Sequence, residues 1–210
     1  MKQVNKEKHN LLLIFTRNPE LGKCKTRLAA VVGDKVALEI YRFLLQHTVK
    51  FSKNIKAQKE VYYSEEIWGN DIWDNDIFDK KLQQGLDLGE RMSNAFKTGF
   101  KAGFNKIIVI GSDMYDLSTI EMDYAFEQLD THDYVVGPAE DGGYYLLGMK
   151  TSTPNLFKNK DWGKETVLQD TLNDLTNRKV KILDIKNDVD HYGDIKDIEI
   201  FQPFLIDIKI

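Results

Sequence analysis

The 210-residue chain is 42% apolar and 30% charged with a formal net charge of −4, which excludes a largely disordered polymer and supplies no basic footprint for a nucleic-acid partner. Its length fits one domain with a substantial core and leaves little room for a second. A single cysteine, Cys24, excludes an internal disulfide and any multi-cysteine metal site.

Residues 1–9 (Met1-Lys-Gln-Val-Asn-Lys-Glu-Lys-His9) read as a polar tail without the apolar stretch of a signal peptide, and residues 10–210 as one domain. No apolar run approaches the roughly 20 residues of a membrane span, so the expectation is a cytoplasmic protein. Leu11–Phe15 is a continuous apolar run, as expected of a strand buried on both faces. A polar loop, Thr16–Lys23, leads into a long helical pattern that reaches about Lys53 and breaks near Gly33-Asp34. Glu60–Tyr63 reads as a strand, and Glu65–Asp79, with Trp68 and Trp73 among acidic residues, as an irregular excursion. Leu88–Gly103 is helical by spacing, Lys106–Gly111 is a second buried strand, and Ser118 is placed to cap a helix running to Leu129. Tyr134–Gly137 and Tyr144–Met149 are strands joined by a glycine-rich turn, a spacing that predicts an antiparallel insertion. A helix over Lys164–Asn177, a strand over Val180–Asp184 and a helix over Asp194–Phe201 complete the pattern. Strands alternating with helices give an α/β domain with a mainly parallel sheet, whose ligands sit beyond the carboxyl ends of the strands.

Four constellations fall at those ends. Arg17, Lys23, Lys25 and Arg27 cluster around Gly22 at a helix start, an environment that favours phosphate, although the spacing is not that of a Walker A loop. Asp113, in Gly111-Ser-Asp113, follows a buried strand and is suited to hold Mg²⁺ against phosphate oxygens. In Glu140-Asp-Gly-Gly-Tyr144 the two carboxylates offer a hydroxyl ligand, a metal ligand or an acid–base pair, while Asp141-Gly-Gly143 is equally a hairpin turn. Asp190 offers a second metal carboxylate and Asp194 a cap, and His191 reads as a surface residue.

The block Asn18-Pro-Glu-Leu-Gly-Lys-Cys-Lys-Thr-Arg-Leu28 resembles the opening signature of the radical-SAM/selenodomain-associated transferase 1 family. The resemblance continues through Gln84-Gly-Leu-Asp-Leu-Gly-Glu-Arg-Met92, Gly111-Ser-Asp113, Gly137-Pro-Ala-Glu-Asp-Gly-Gly-Tyr144, Trp162 and Asp188-Val-Asp190, in order over roughly residues 10 to 200. It implies a GT-A/Rossmann-like three-layer sandwich with a mixed, mainly parallel sheet. It further implies that Lys25 and Arg27, with Arg17 and Gly22 beside them, hold nucleotide phosphates. Asp113 and Asp190 would hold Mg²⁺ or Mn²⁺, with Asp113 and Asp141 as the catalytic carboxylates. Gly85, Gly89 and Arg91 would lie near base or ribose, and Gly142, Gly143, Tyr144 and Trp162 near an acceptor. The chain departs from the family pattern at Arg17 (usually Lys), Met114-Tyr115 (usually Cys-Pro), Gly163 (usually Ser) and His191 (usually Thr).

The leading expectation is therefore a Mg²⁺- or Mn²⁺-dependent transferase. It would take a nucleotide sugar or nucleoside triphosphate and a small-molecule acceptor, leaning to glycosyl transfer. A nucleotidyltransferase releasing pyrophosphate is the alternative within that class. A non-catalytic nucleotide-binding protein on the same fold is the alternative outside it. A third reading, a partner-binding module or homodimer, draws on Trp68, Trp73 and the apolar tail Phe201–Ile210.

Overall fold

The computed structural model describes residues 10–206 and residue 208, so the polar tail over residues 1–9 lies outside the described part. Seven strands form one sheet in the order β3-β2-β1-β4-β6-β5-β7. They are β1 (Asn10–Thr16), β2 (Gln58–Tyr63), β3 (Phe78–Leu82), β4 (Lys106–Gly111), β5 (Tyr134–Pro138), β6 (Tyr144–Met149) and β7 (Val180–Ile182). All neighbours pair in parallel except β6, which is antiparallel to both β4 and β5. The closely spaced pair of strands is thus the antiparallel insertion that its short connection requires.

The continuous apolar run of β1 follows from its central place. Leu12 and Ile14 face one helical layer, and Leu11, Leu13 and Phe15 face the other. The first layer contains α1 (Thr26–Val32), α2 (Asp34–Ser52) and α4 (Thr119–Thr131); the second contains α3 (Leu88–Lys101), a 3₁₀ turn at Pro154–Phe157 and α5 (Val167–Asp174). The result is the expected three-layer α/β/α sandwich. Ser118 caps α4 in a full capping box with Glu121, as its sequence position predicts.

Two element readings need correction. Residues 78–82, placed in or beside an irregular excursion, form the edge strand β3, which buries only Phe78 along its length. The predicted helix over Asp194–Phe201 is instead two 3₁₀ turns, Tyr192–Asp194 and Glu199–Phe201, leading into a short helix α6 (Gln202–Leu205). The described tail residues fold back on their own chain: Phe201 and Phe204 both meet Phe43 of α2, at ring-centroid distances of 5.7 Å. Trp73 is core, packed edge-to-face on Phe78. Among the described residues no helix is long and apolar enough to cross a membrane.

Candidate active site

A buried hydrogen-bond hub joins the carboxyl ends of β1 and β4. The Tyr41 hydroxyl on α2 accepts from the Arg17 amide at 2.9 Å and lies 3.2 Å from Thr16 Oγ1 and 3.3 Å from Ser112 Oγ. Ser112 Oγ donates to Thr16 Oγ1 at 3.0 Å, so three hydroxyls and one amide fix the two strand ends relative to α2. Asn18 extends this framework: its side chain accepts from the amides of Glu65 and Glu66 and donates to the Glu66 carbonyl. The irregular segment after β2 is thereby tied to the loop after β1.

Above the hub lie the charges. Lys25 is the residue preceding α1 and adopts a left-handed backbone (φ 49°, ψ 45°) that a non-glycine residue holds only under constraint. This conformation turns its side chain inward, where Lys25 Nζ lies 2.8 Å from Asp113 Oδ2 and 4.0 Å from Asp190 Oδ1. Burial disfavours the ammonium, but the Asp113 carboxylate and the bond to it hold the Lys25 pKa above its ordinary value. Burial likewise works against ionised Asp113, and the Lys25 charge outweighs it, holding that carboxyl below its usual range. Arg27 Nη1 meets Asp190 Oδ2 at 2.8 Å. Asp190 is held by Asp194, whose Oδ2 accepts from the Asp190 amide at 2.9 Å; Asp194, expected to cap a final helix, instead closes the 3₁₀ turn Tyr192–Asp194. Asp188 is the carboxylate that sequence reasoning left unassigned although it stands in a matching block. Burial and the nearby Asp113 push its pKa up to about 6, against the pull of Lys25.

Two cavities meet at these carboxylates. The larger, about 690 Å³, is polar and is lined by Arg17, Lys25, Arg27, Arg91 and Asp190 among others. The smaller, about 220 Å³, is lined chiefly by apolar side chains, with Asp141, Gly143, Tyr144 and Trp162 among its walls. Asp113 and Asp188 border both. The basic loop, the metal-candidate carboxylates and the Gly-Gly-Tyr turn therefore converge from distant parts of the chain onto one continuous site. Arg91 is oriented through Gln83, donating from Nη1 at 3.3 Å and from Nε to the Gly85 carbonyl at 3.2 Å.

Several glycines lie behind this surface. Gly22 is exposed in the loop before α1, and Gly85 reaches the cleft only through Arg91. Gly89 lines neither cavity: an added Cβ would fall 2.4 Å from Trp162 Nε1, so glycine is what lets α3 seat the indole. Gly142, with φ +86°, packs on the Glu165 backbone, 2.2 Å from its carbonyl for an added Cβ. Asp141 Oδ1 accepts from the Gly143 amide at 2.8 Å, as the hairpin-turn reading requires, and Asp141 also borders the smaller cavity.

The donor set fits a hard cation that shares its ligands with phosphate. Asp113 and Asp190 offer carboxylate oxygens, with side chains 33% and 29% exposed toward the cleft. Mg²⁺ is held by one or two carboxylates plus substrate phosphates rather than by an all-protein cage. Among the described residues no group of three or more His, Cys, Asp or Glu side chains is arranged to hold a metal ion by itself. Asp113 and Asp190 are thus the residues able to contribute to such a shared site.

The model of a bacterial family described as "Uncharacterized protein conserved in bacteria (DUF2064)" matches residues 48–164. The chain belongs to this family. A candidate nucleotide-diphospho-sugar transferase from Desulfovibrio desulfuricans G20 is 30% identical, with a TM-score of 0.82 and 95% of each chain covered. That likeness gives this DUF2064 chain the nucleotide-diphospho-sugar transferase fold. More distant structures share the fold alone. The inositol-1-phosphate CTP transferase of T. maritima is 12% identical (TM-score 0.52, covering 98% of this chain and 100% of that one). A cytidylyltransferase of Leptospira borgpetersenii serovar Hardjo-bovis is 15% identical (TM-score 0.53, covering 87% and 79%). No curated protein matches this DUF2064 chain.

Proposed function

We propose that this DUF2064 protein is a metal-dependent transferase that moves a group from a nucleotide donor to a small-molecule acceptor. One observation carries the reading: a polar cleft large enough for a nucleotide, with five basic and five acidic residues on its walls, meets a smaller apolar pocket at Asp113 and Asp188. A donor held by its phosphates in the first cavity would present its reacting bond to an acceptor in the second. The 30% identical structure, itself a candidate nucleotide-diphospho-sugar transferase, supports the same class.

In this reading Arg17, Lys25 and Arg27 neutralise the donor phosphates, and Arg91 borders the base or ribose end of the cleft. Asp113 and Asp190 hold Mg²⁺ or Mn²⁺, which when bound offsets the charge that develops on the leaving phosphate. The acceptor hydroxyl attacks the donor while its proton passes to a carboxylate. Asp188 and Asp141 are the candidates, and Asp188 alone of the two borders both cavities. The favoured reaction is glycosyl transfer, in which the nucleoside diphosphate leaves intact. It is supported by the family resemblance of the Lys-Thr-Arg-Leu28 block, which lacks the glycine-rich opening loop of sugar pyrophosphorylases.

Thermal shift against nucleoside triphosphates and nucleotide sugars, with and without Mg²⁺ or Mn²⁺, tests the donor half. A ligand at about a hundred times its Kd stabilises by roughly 2.7 kcal/mol. A metal-dependent shift for one nucleotide class is expected, and no shift with any nucleotide under either metal overturns the reading. Analysis of the released product then separates free nucleoside diphosphate from pyrophosphate.

A further inference from the structure

The apolar pocket identifies the chemistry of the acceptor. Its walls carry three carboxylates, Asp113, Asp141 and Asp188, and one cation, Lys164, which is solvent-exposed. The arginines and the buried lysine of the site all line the other cavity. Lys25 is already engaged with Asp113, on the donor side of the pair.

The rest of the pocket is shaped for a flat apolar group. Trp162 and Tyr144 form one corner, with ring centroids 6.4 Å apart at an interplanar angle of 88°. The Tyr144 hydroxyl donates to Met92 Sδ at 3.8 Å, so two walls of the pocket satisfy each other. Met92 and Met114 supply adaptable apolar surface. The corner is built rather than incidental, because α3 carries glycine at residue 89, where any side chain would strike the indole.

We infer that the acceptor is an uncharged or cationic hydroxyl compound with an aromatic or compact apolar portion, and not a phosphorylated one. A phosphate entering this pocket would face Asp141 and Asp188, since Lys25 already neutralises Asp113 and the metal of the transferase reading is held toward the donor side with Asp190; the one remaining wall cation is the exposed Lys164, and like-charge juxtaposition disfavours such a partner. An ammonium or neutral alcohol avoids that repulsion, and its ring stacks in the Trp162–Tyr144 corner. The hydroxyl end then points at Asp113 and Asp188, where the pocket opens to the donor cleft. This inference rests on the transferase reading above and narrows it to acceptors unlike those of a phosphate-linked nucleotidyl transfer.

Saturation-transfer NMR with 2-phenylethanol, 2-phenylethylamine and 2-phenylethyl phosphate tests it on the full chain. Measurements run in EDTA, and again with Mg²⁺ and each of UDP, CDP, GDP and ADP. The alcohol and the amine are expected to bind at least about tenfold more tightly than the phosphate ester in both settings. Trp162→Ala should abolish their signal. If Trp162→Ala fails to fold, the paired substitution Asp141→Asn with Asp188→Asn takes its place. That variant should bring the phosphate ester to within a few-fold of the alcohol. Equal or tighter binding of the phosphate ester to the unmodified protein overturns the inference, as does alcohol binding indifferent to a folded Trp162→Ala variant or an unchanged preference in the paired variant. These outcomes leave nucleotide binding untouched. Failure of every nucleotide to bind would instead overturn the transferase reading, with the pocket's own preference still measured.

Discussion

Lys25 Nζ lies 2.8 Å from Asp113 Oδ2, with the lysine side chain only 6% exposed and its backbone in the left-handed region. A strained loop residue is thus held against a carboxylate at the end of the central sheet, 88 positions away in sequence. The pair orders the protein's side of the cleft before a nucleotide arrives. Replacing Lys25 by Met leaves Asp113 without its partner, and should cost about 1–3 kcal/mol, less than a fully buried pair because Asp113 is one-third exposed. Chemical denaturation measures that cost. The same variant should lose nucleotide-induced thermal stabilisation, whereas Asp113→Asn, which leaves the 6% exposed Lys25 ammonium with only Asp190 at 4.0 Å, should cost a comparable amount of stability and lose metal-dependent turnover. Turnover unchanged in Asp113→Asn would remove this carboxylate from the mechanism.

The fold was legible wherever both helical layers press on one strand. Leu11–Phe15 and Lys106–Gly111 declare themselves as buried strands because neither face can tolerate a polar residue. β3 was not legible: an edge strand satisfies its pairing through one neighbour, and Asp79, Lys80 and Lys81 carry no apolar period. The site shows the same division. Lys25, Arg27, Asp113 and Asp190 could be singled out because they follow strands or open a helix. The Tyr41 hub could not, since a helix tyrosine at core spacing gives no sign that its hydroxyl will meet Thr16 and Ser112. Gly89 illustrates a different limit: a glycine in a matching motif invites a ligand role, while the structure uses it to seat Trp162.

Gly89→Ala tests that packing role. The new Cβ would approach Trp162 Nε1 at 2.4 Å and the Phe157 carbonyl at 2.6 Å, so the indole or α3 must move. Alanine raises helix propensity, but overpacking should dominate and cost about 1–3 kcal/mol. The displaced indole should also raise the acceptor KM while leaving nucleotide binding within about twofold. A melting temperature at or above that of the unmodified protein would show that the seam relaxes freely.

Glu121 gives a pH dependence away from the active site. Its carboxylate completes the capping box with Ser118 and meets Lys186 Nζ at 2.8 Å. Partial burial opposes its ionisation, but the Lys186 and Ser118 bonds outweigh it and hold its pKa below the ordinary value. A carboxyl depressed on folding contributes stability above its unfolded pKa of about 4.3, and that contribution fades as pH falls through the lower folded value. Glu121→Gln can keep the capping box but loses the charge that faces Lys186, so it should be less stable than the unmodified chain by about 0.5 kcal/mol at pH 7, the scale of a partly exposed ion pair. The gap should stay constant down to about pH 5 and close below about pH 4. Thermal melts of the two proteins across that range decide it, and a gap that widens in acid would reverse the assigned sign.

Asp188 and Asp141 separate by position. Asp188 borders both cavities, so a group there reaches an acceptor hydroxyl at the point where the donor bond is exposed. Asp141 lines only the apolar pocket, and one of its oxygens already accepts from the Gly143 amide in the turn. If the acceptor proton passes to Asp188, Asp188→Asn should lower kcat by about 10²–10⁴ with donor binding retained, the usual yield of a positioned base. Asp141→Asn should act through the turn, raising the acceptor KM and lowering kcat by no more than about tenfold, because an amide oxygen still accepts from Gly143. Steady-state kinetics at saturating donor separate the two, with thermal melts to show that both variants fold. A larger kcat loss in Asp141→Asn would transfer the proton to the turn carboxylate. Asp188 would then be left as part of the charge that holds the cation and Lys25.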